Sequence, residues 1–76
     1  MNKARRKKLD AILEEIETIK DLLEEVKYEE QEAVDNMPES LQGSERYEAM
    51  EEAISSLEEA LENLGYAADN IEEAIE

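Results

Sequence analysis

Residues 35–53, DNMPESLQGSERYEAMEEA, hold the only Pro and one of the two Gly in a chain of 76 residues. On both sides the sequence is dominated by Glu, Leu, Ile, Ala and Lys. Pro38 has no amide hydrogen and cannot continue a helix, and its ring pushes Met37 out of helical geometry. Further on, Ser44 is a good N-cap, with Glu45 and Glu48 in the turn that follows. The stretch therefore ends one helix and begins another. It predicts helix 1 over about 3–36, a loop over about 37–43 and helix 2 over about 44–75, all within one domain covering 1–76. Within the loop, PESLQ has the length of one extra turn.

Apolar residues on either side recur at alternating steps of three and four. The first stripe is Leu9, Ile12, Ile16, Ile19, Leu23 and Val26, continued by Glu30, Ala33 and Met37. The second is Tyr47, Met50, Ile54, Leu57, Leu61, Leu64, Ala68, Ile71 and Ile75. This is the period of a left-handed coiled-coil seam, and no segment alternates with the period of a strand. A connection this short makes the helices antiparallel neighbours. Pairing Leu9 with Ile71, Ile16 with Leu64, Leu23 with Leu57 and Val26 with Ile54 keeps the residue-number sum at 80, centred in the loop. The expected fold is all-α, an antiparallel two-helix coiled-coil hairpin.

The flanks of that seam carry further expectations. One flank sets Lys20 near Glu58 and Lys27 near Glu51. The other sets Lys8, Glu15, Leu22 and Glu29 beside Ala74, Ala67, Ala60 and Ala53, a narrow strip that another helix could approach. With Leu13 and Leu22 also outside the seam, the hairpin is expected to dimerise into a four-helix bundle through Leu13, Leu22, Ala53, Ala60, Ala67 and Ala74. A partner's helix docking there is the alternative. The basic start, Lys3 to Lys8, and the acidic end, Glu72, Glu73 and Glu76, each oppose their own helix dipole. In a hairpin they meet and would close its open end. Glu30 interrupts the seam near the loop, either as a polar register device or as a long side chain reaching water.

Composition narrows the function classes. A 76-residue chain supplies a marginal core, so regular helix packing or association is expected. With no Cys, no disulfide or thiolate metal site exists. Glu-rich bundles that hold two metals pair Glu with His, and His is absent. The spacing of a calcium loop is missing as well. No His base, Cys nucleophile, phosphate-binding Gly-rich loop or activated Ser is present, and a slim hairpin has no cavity to raise a carboxylate pKa. The chain reads as non-enzymatic, with no cofactor. No segment is apolar enough for a signal sequence or a membrane span, so a soluble, cytoplasmic protein is expected.

The charge is lopsided. The net charge is −15, and five of the eight basic residues lie at Lys3, Arg5, Arg6, Lys7 and Lys8. Residues 9–76 hold the 23 acids and three bases, a net −20. Such a body repels nucleic acid and anionic membrane and is steered toward basic protein surfaces. The basic start could bind phosphates, but it has no interleaved aromatics to stack on bases, and a clamp onto helix 2 explains it equally. The partner-binding candidates are Glu45, Glu51, Glu52, Glu58 and Glu59 on the outer face, the outward Tyr28 and Tyr66, and Leu41 at the loop tip.

With NMPESLQGSERYEAMEEA between two Glu-rich helices, the chain resembles the short acidic helical proteins of bacteriophages and mobile elements of Gram-positive bacteria. Phage inhibitors of host defence, anti-CRISPR and anti-restriction proteins among them, are similar in size and acidity. The repeated carboxylates of a rigid rod can imitate a phosphate backbone, which makes a DNA-mimicking inhibitor of a nucleic-acid-handling or defence enzyme the first reading, and the resemblance is one of kind that agrees with it. It assigns no residue a role. The other reading is a structural or adaptor coiled coil whose acidity serves only solubility. A third is a small chaperone or regulator that docks through the loop, with Leu41 and Tyr47.

Overall fold

A computed structural model describes residues 1–76 as two antiparallel helices without strands, α1 (Lys3–Asp35) and α2 (Glu45–Ile75). A short 3₁₀ turn, Glu39–Leu41, lies between them. Each boundary has a local cause. Asn2 caps α1, its Oδ1 accepting from the Arg5 amide at 2.8 Å. Ser44 caps α2, its hydroxyl oxygen accepting from the Tyr47 amide at 3.2 Å. At the far end of α1, Asn36 and Met37 donate back to the carbonyls of Glu32 and Val34. Pro38 then holds φ −57° and ψ 144°, outside helical space. In the turn, Leu41 donates to the Pro38 carbonyl, Gln42 to that of Glu39 and Ser44 to that of Leu41. Gly43 completes the reversal at φ +88°, a region that a Cβ makes costly.

The helical hairpin matches the expectation, but its seam is turned. On α1 the half-buried and buried positions are Leu9, Leu13, Ile16, Lys20, Leu23, Lys27, Glu30, Val34 and, just past its end, Met37. Leu9, Ile16, Leu23 and Glu30 were expected there. Ile12, Ile19, Val26 and Ala33 were also expected, and all four are exposed. Leu13, Lys20, Lys27 and Val34 take their places. The seam of α1 is thus rotated by about 50°, half the angular step of one residue. On α2 the stripe from Tyr47 to Ile75 is half-buried or buried as expected, and Ala53, Ala60 and Ala67 join it. Small side chains at those positions allow a close, offset approach. Lys20 and Lys27 tolerate the seam because a lysine stem packs as hydrocarbon while its ammonium reaches water.

The two helices alone make a thin rod. It measures 59 × 15 × 12 Å, with a radius of gyration of 17.4 Å where a compact chain of this length would have about 11 Å. Only two of its residues are buried, Val34 at 5% and Ile54 at 8% exposure. The accessible surface is 5898 Å², against about 4,700 Å² for a compact protein of this mass. No helix is long and apolar enough to cross a membrane.

Charge pairing contributes little to this fold. The one ion pair joins Lys20 to Glu17 at 3.7 Å, one turn apart on α1. The expected bridges from Lys20 to Glu58 and from Lys27 to Glu51 do not form, because the rotation carries both lysines into the seam. Nor does any basic residue of 3–8 pair with Glu72, Glu73 or Glu76. Exposed pairs of long side chains gain too little to offset their lost freedom. The net −15 therefore acts mainly as self-repulsion. Raising NaCl from low to physiological strength is expected to raise Tm, by about 5 °C for about 1 kcal/mol of relieved repulsion. Thermal melts followed by circular dichroism check this; a Tm that falls with salt would show that attractive pairs dominate.

The two glycines should respond oppositely to Ala. At Gly65, inside α2, an added Cβ meets nothing within 4 Å, so Ala restores helix propensity without a clash. At Gly43 the space is equally open, but the positive φ strains any L side chain. Gly65→Ala is expected to stabilise and Gly43→Ala to destabilise by about 1 kcal/mol each, shifting Tm by roughly 4–8 °C in opposite directions.

Candidate functional site

Three kinds of surface are exposed along the rod: an acidic exterior, a loop tip and an apolar edge. The acidic exterior is densest on α2. Glu45, Glu51, Glu52, Glu58 and Glu59 are all exposed. Glu48, Glu51, Glu52 and Ser55 line one shallow groove, and Glu51 and Glu58 line the next with Gln31, Ile54 and Ser55. Gln31 belongs to α1, so this second groove follows the junction of the two helices. No basic side chain lines either groove. No three acidic side chains converge closely enough to hold a metal ion. The carboxylates thus stay spread along a rigid axis, with 15 net charges over 59 Å, one per about 4 Å. A single DNA strand carries one phosphate per about 3.4 Å of helix axis, so the two charge densities are comparable.

The sequence-predicted aromatic contacts are both exposed. Tyr28 lies on α1 with the Lys27 ammonium 5.4 Å from its ring centre, a cation–π contact. Tyr66 lies on α2, its hydroxyl donating to Glu62 Oε1 at 2.8 Å. They stand on different helices, Tyr28 on α1 and Tyr66 on α2. Leu41 is exposed at the loop tip, apart from both.

Two tyrosines titrate above the ordinary phenol value of 10.0. The hydrogen bond to Glu62, reinforced by the negative charge of Glu62, holds Tyr66 neutral. The hydrogen bond to Glu51 does the same for Tyr47, helped by desolvation and by the charges of Glu51 and Asp35. A folded-state value above the unfolded one contributes stability that is present below pH 10 and lost as pH rises past the folded value. Absorbance titration of the phenols is expected to show Tyr47 and Tyr66 ionising above the ordinary phenol value. Glu62→Gln should bring one of those midpoints down and leave the other in place.

The expected association surface is divided by the structure. Leu13 lies half-buried on the edge of α1 that meets α2, and Ala53, Ala60 and Ala67 are half-buried too. Only Leu22 and Ala74 of that set remain exposed. What the rotation exposes instead is a line on α1: Ile12 at 41%, Ile19 at 46% and Val26 at 49%, flanked by Leu22 at 57%. Ile12, Ile19 and Val26 are seven residues apart, which places them on one side of the helix over about 21 Å. A shallow depression lined by Ala11, Glu14, Glu15, Thr18 and Ile19 opens onto the same region. Periodicity alone assigned these residues to the hairpin seam, because positions 12 and 13 are both apolar and either completes a heptad. The half-buried Lys20 and Lys27 were hidden by the same ambiguity.

No protein-family model, curated protein or solved structure matches this chain.

Proposed function

We propose that this protein is a small, non-enzymatic protein-binding module whose acidic exterior docks on a positively charged surface of a protein partner. The reading rests on one observation: the carboxylates of a rigid rod are left almost wholly unneutralised, with a charge per length close to that of one DNA strand. A rod of 15 Å by 12 Å across at Cα level is slim enough for a cleft that accepts nucleic acid. Occupying it would inhibit a nucleic-acid-handling or defence enzyme by mimicry or occlusion, the role carried by phage anti-defence proteins of similar size and acidity. Glu45, Glu51, Glu52, Glu58 and Glu59 form the contact face, and the module itself does not bind nucleic acid.

A separate observation favours a second reading. A hairpin with two buried residues and an uncovered apolar edge suits a structural or adaptor coiled coil that completes its core by assembly, its charge serving solubility. The two readings differ in salt dependence.

Tagged protein incubated with a bacterial lysate is expected to capture basic nucleic-acid-binding proteins at low salt. Raising salt several-fold should release at least about nine-tenths of them, since charge-driven contacts are screened within about 10 Å at 0.1 M. A variant with Glu45, Glu51, Glu52, Glu58 and Glu59 all changed to Gln should capture at least about tenfold less at the same low salt. Equal capture by wild type and variant would sink the acidic-face reading.

A further inference from the structure

We infer that two copies of this chain associate antiparallel through α1, along Ile12, Ile19, Leu22 and Val26, about a two-fold axis at Ile19. Three independent features lead to a second copy as the occupant of this edge. The first is area. The rod exposes roughly 1,200 Å² more than a compact protein of its mass, and a standard interface covers about 800 Å² on each partner. The excess over a compact protein is thus larger than what one partner of a standard interface covers.

The second is the division of charge between the helices. Residues 1–35 carry seven bases and eleven acids, a net −4, whereas residues 36–76 carry one base and twelve acids, a net −11. Two copies that meet through α1 keep the strongly acidic α2 helices on the outside. Contact through α2 would bring the larger like charges together.

The third is the polarity of α1 itself. Its bases Lys3, Arg5, Arg6, Lys7 and Lys8 crowd one end, and Glu29, Glu30, Glu32 and Asp35 crowd the other. None of these bases has an ion-pair partner within its own chain. An antiparallel pairing centred on Ile19 sets Ile12 against Val26 of the second copy, a residue-number sum of 38. On the flank, Lys8 then meets Glu29 and Leu22 meets Glu15, both summing to 37. One register therefore sets Ile12, Ile19 and Val26 against their counterparts, lays Leu22 along the stem of Glu15 and brings opposite charges together at both ends. A parallel pairing would stack base on base and acid on acid, which charge repulsion rejects. The product is a four-helix assembly, with the α1 pair inside and the α2 helices outside.

The inference does not depend on what the acidic exterior binds. Sedimentation equilibrium over a concentration series is expected to give twice the 8.7 kDa chain mass. Ile19→Glu places two carboxylates on the axis and should return the mass to 8.7 kDa. Loss of helix in that variant would also lower the mass, so cross-linking supplies an independent readout. The chain has no Cys, so Ile12→Cys and Val26→Cys each introduce a unique thiol. In an equal mixture of the two variants joined by a short thiol-to-thiol cross-linker, the mixed product linking position 12 to position 26 should predominate over either like pair. Like pairs in excess would mean a parallel dimer and overturn the proposal. A monomer at every concentration, with no cross-linked product, would overturn it too. Changing Glu45, Glu51, Glu52, Glu58 and Glu59 to Gln should leave the dimer intact, which separates failure of this inference from failure of the acidic-face reading.

Discussion

The contact between α1 and α2 is the only tertiary contact of consequence in this protein, and everything else follows from how it is made. A two-helix unit has one seam and no second layer, so it cannot enclose side chains as a larger bundle does. Val34 and Ile54 are the two positions where enclosure succeeds. Elsewhere each seam residue is covered on one side and open on another. The stability of the hairpin then comes from long, regular helices with good local propensity, from two N-caps, and from a turn that returns the chain at the right angle. A shift in the seam of half a residue step redistributes which apolar side chains are covered, and that shift governs the surface chemistry of the whole rod.

Electrostatics works against this fold rather than for it. The acids at the end of α2 and the bases at the start of α1 both oppose the helix dipoles, and they form no ion pair across the open end. The helices hold because Glu, Lys, Leu and Ala favour helix and because the seam, thin as it is, runs the full length. An unneutralised exterior of this density is more than solubility requires. Within the chain the repulsion is uneven, since residues 36–76 carry a net −11 and residues 1–35 a net −4.

Most of the architecture was legible in the chain. Pro38 marks the break, Ser44 the restart, and the three-and-four spacing of apolar residues marks the helices and their antiparallel partnership. Asn2 could also have been read as a cap, since Asn three residues before an amide in a helical first turn is a standard cap arrangement. The seam of α1 was not legible to the same degree. Leu9, Ile16, Leu23 and Glu30 are common to both possible seams, and the choice lies between Ile12, Ile19, Val26 and Ala33 on one side and Leu13, Lys20, Lys27 and Val34 on the other. Hydrophobicity favours the first set. The structure takes the second, with the Lys20 ammonium paired to Glu17 and the Lys27 ammonium set over the Tyr28 ring.

By itself, the sequence determined the two helices, the place of the reversal, the antiparallel pairing and the acidic exterior. These are local or additive properties: caps and a proline act on nearby residues, while a repeat period and a sum of charges add up along the chain. The tertiary structure alone decided which edge of α1 faces α2. That choice is collective, because it is set by how the whole line of α1 side chains fits against the alanines and larger residues of α2 at once. A one-dimensional repeat allows either edge, and only close packing in three dimensions selects one and leaves Ile12, Ile19 and Val26 facing outward.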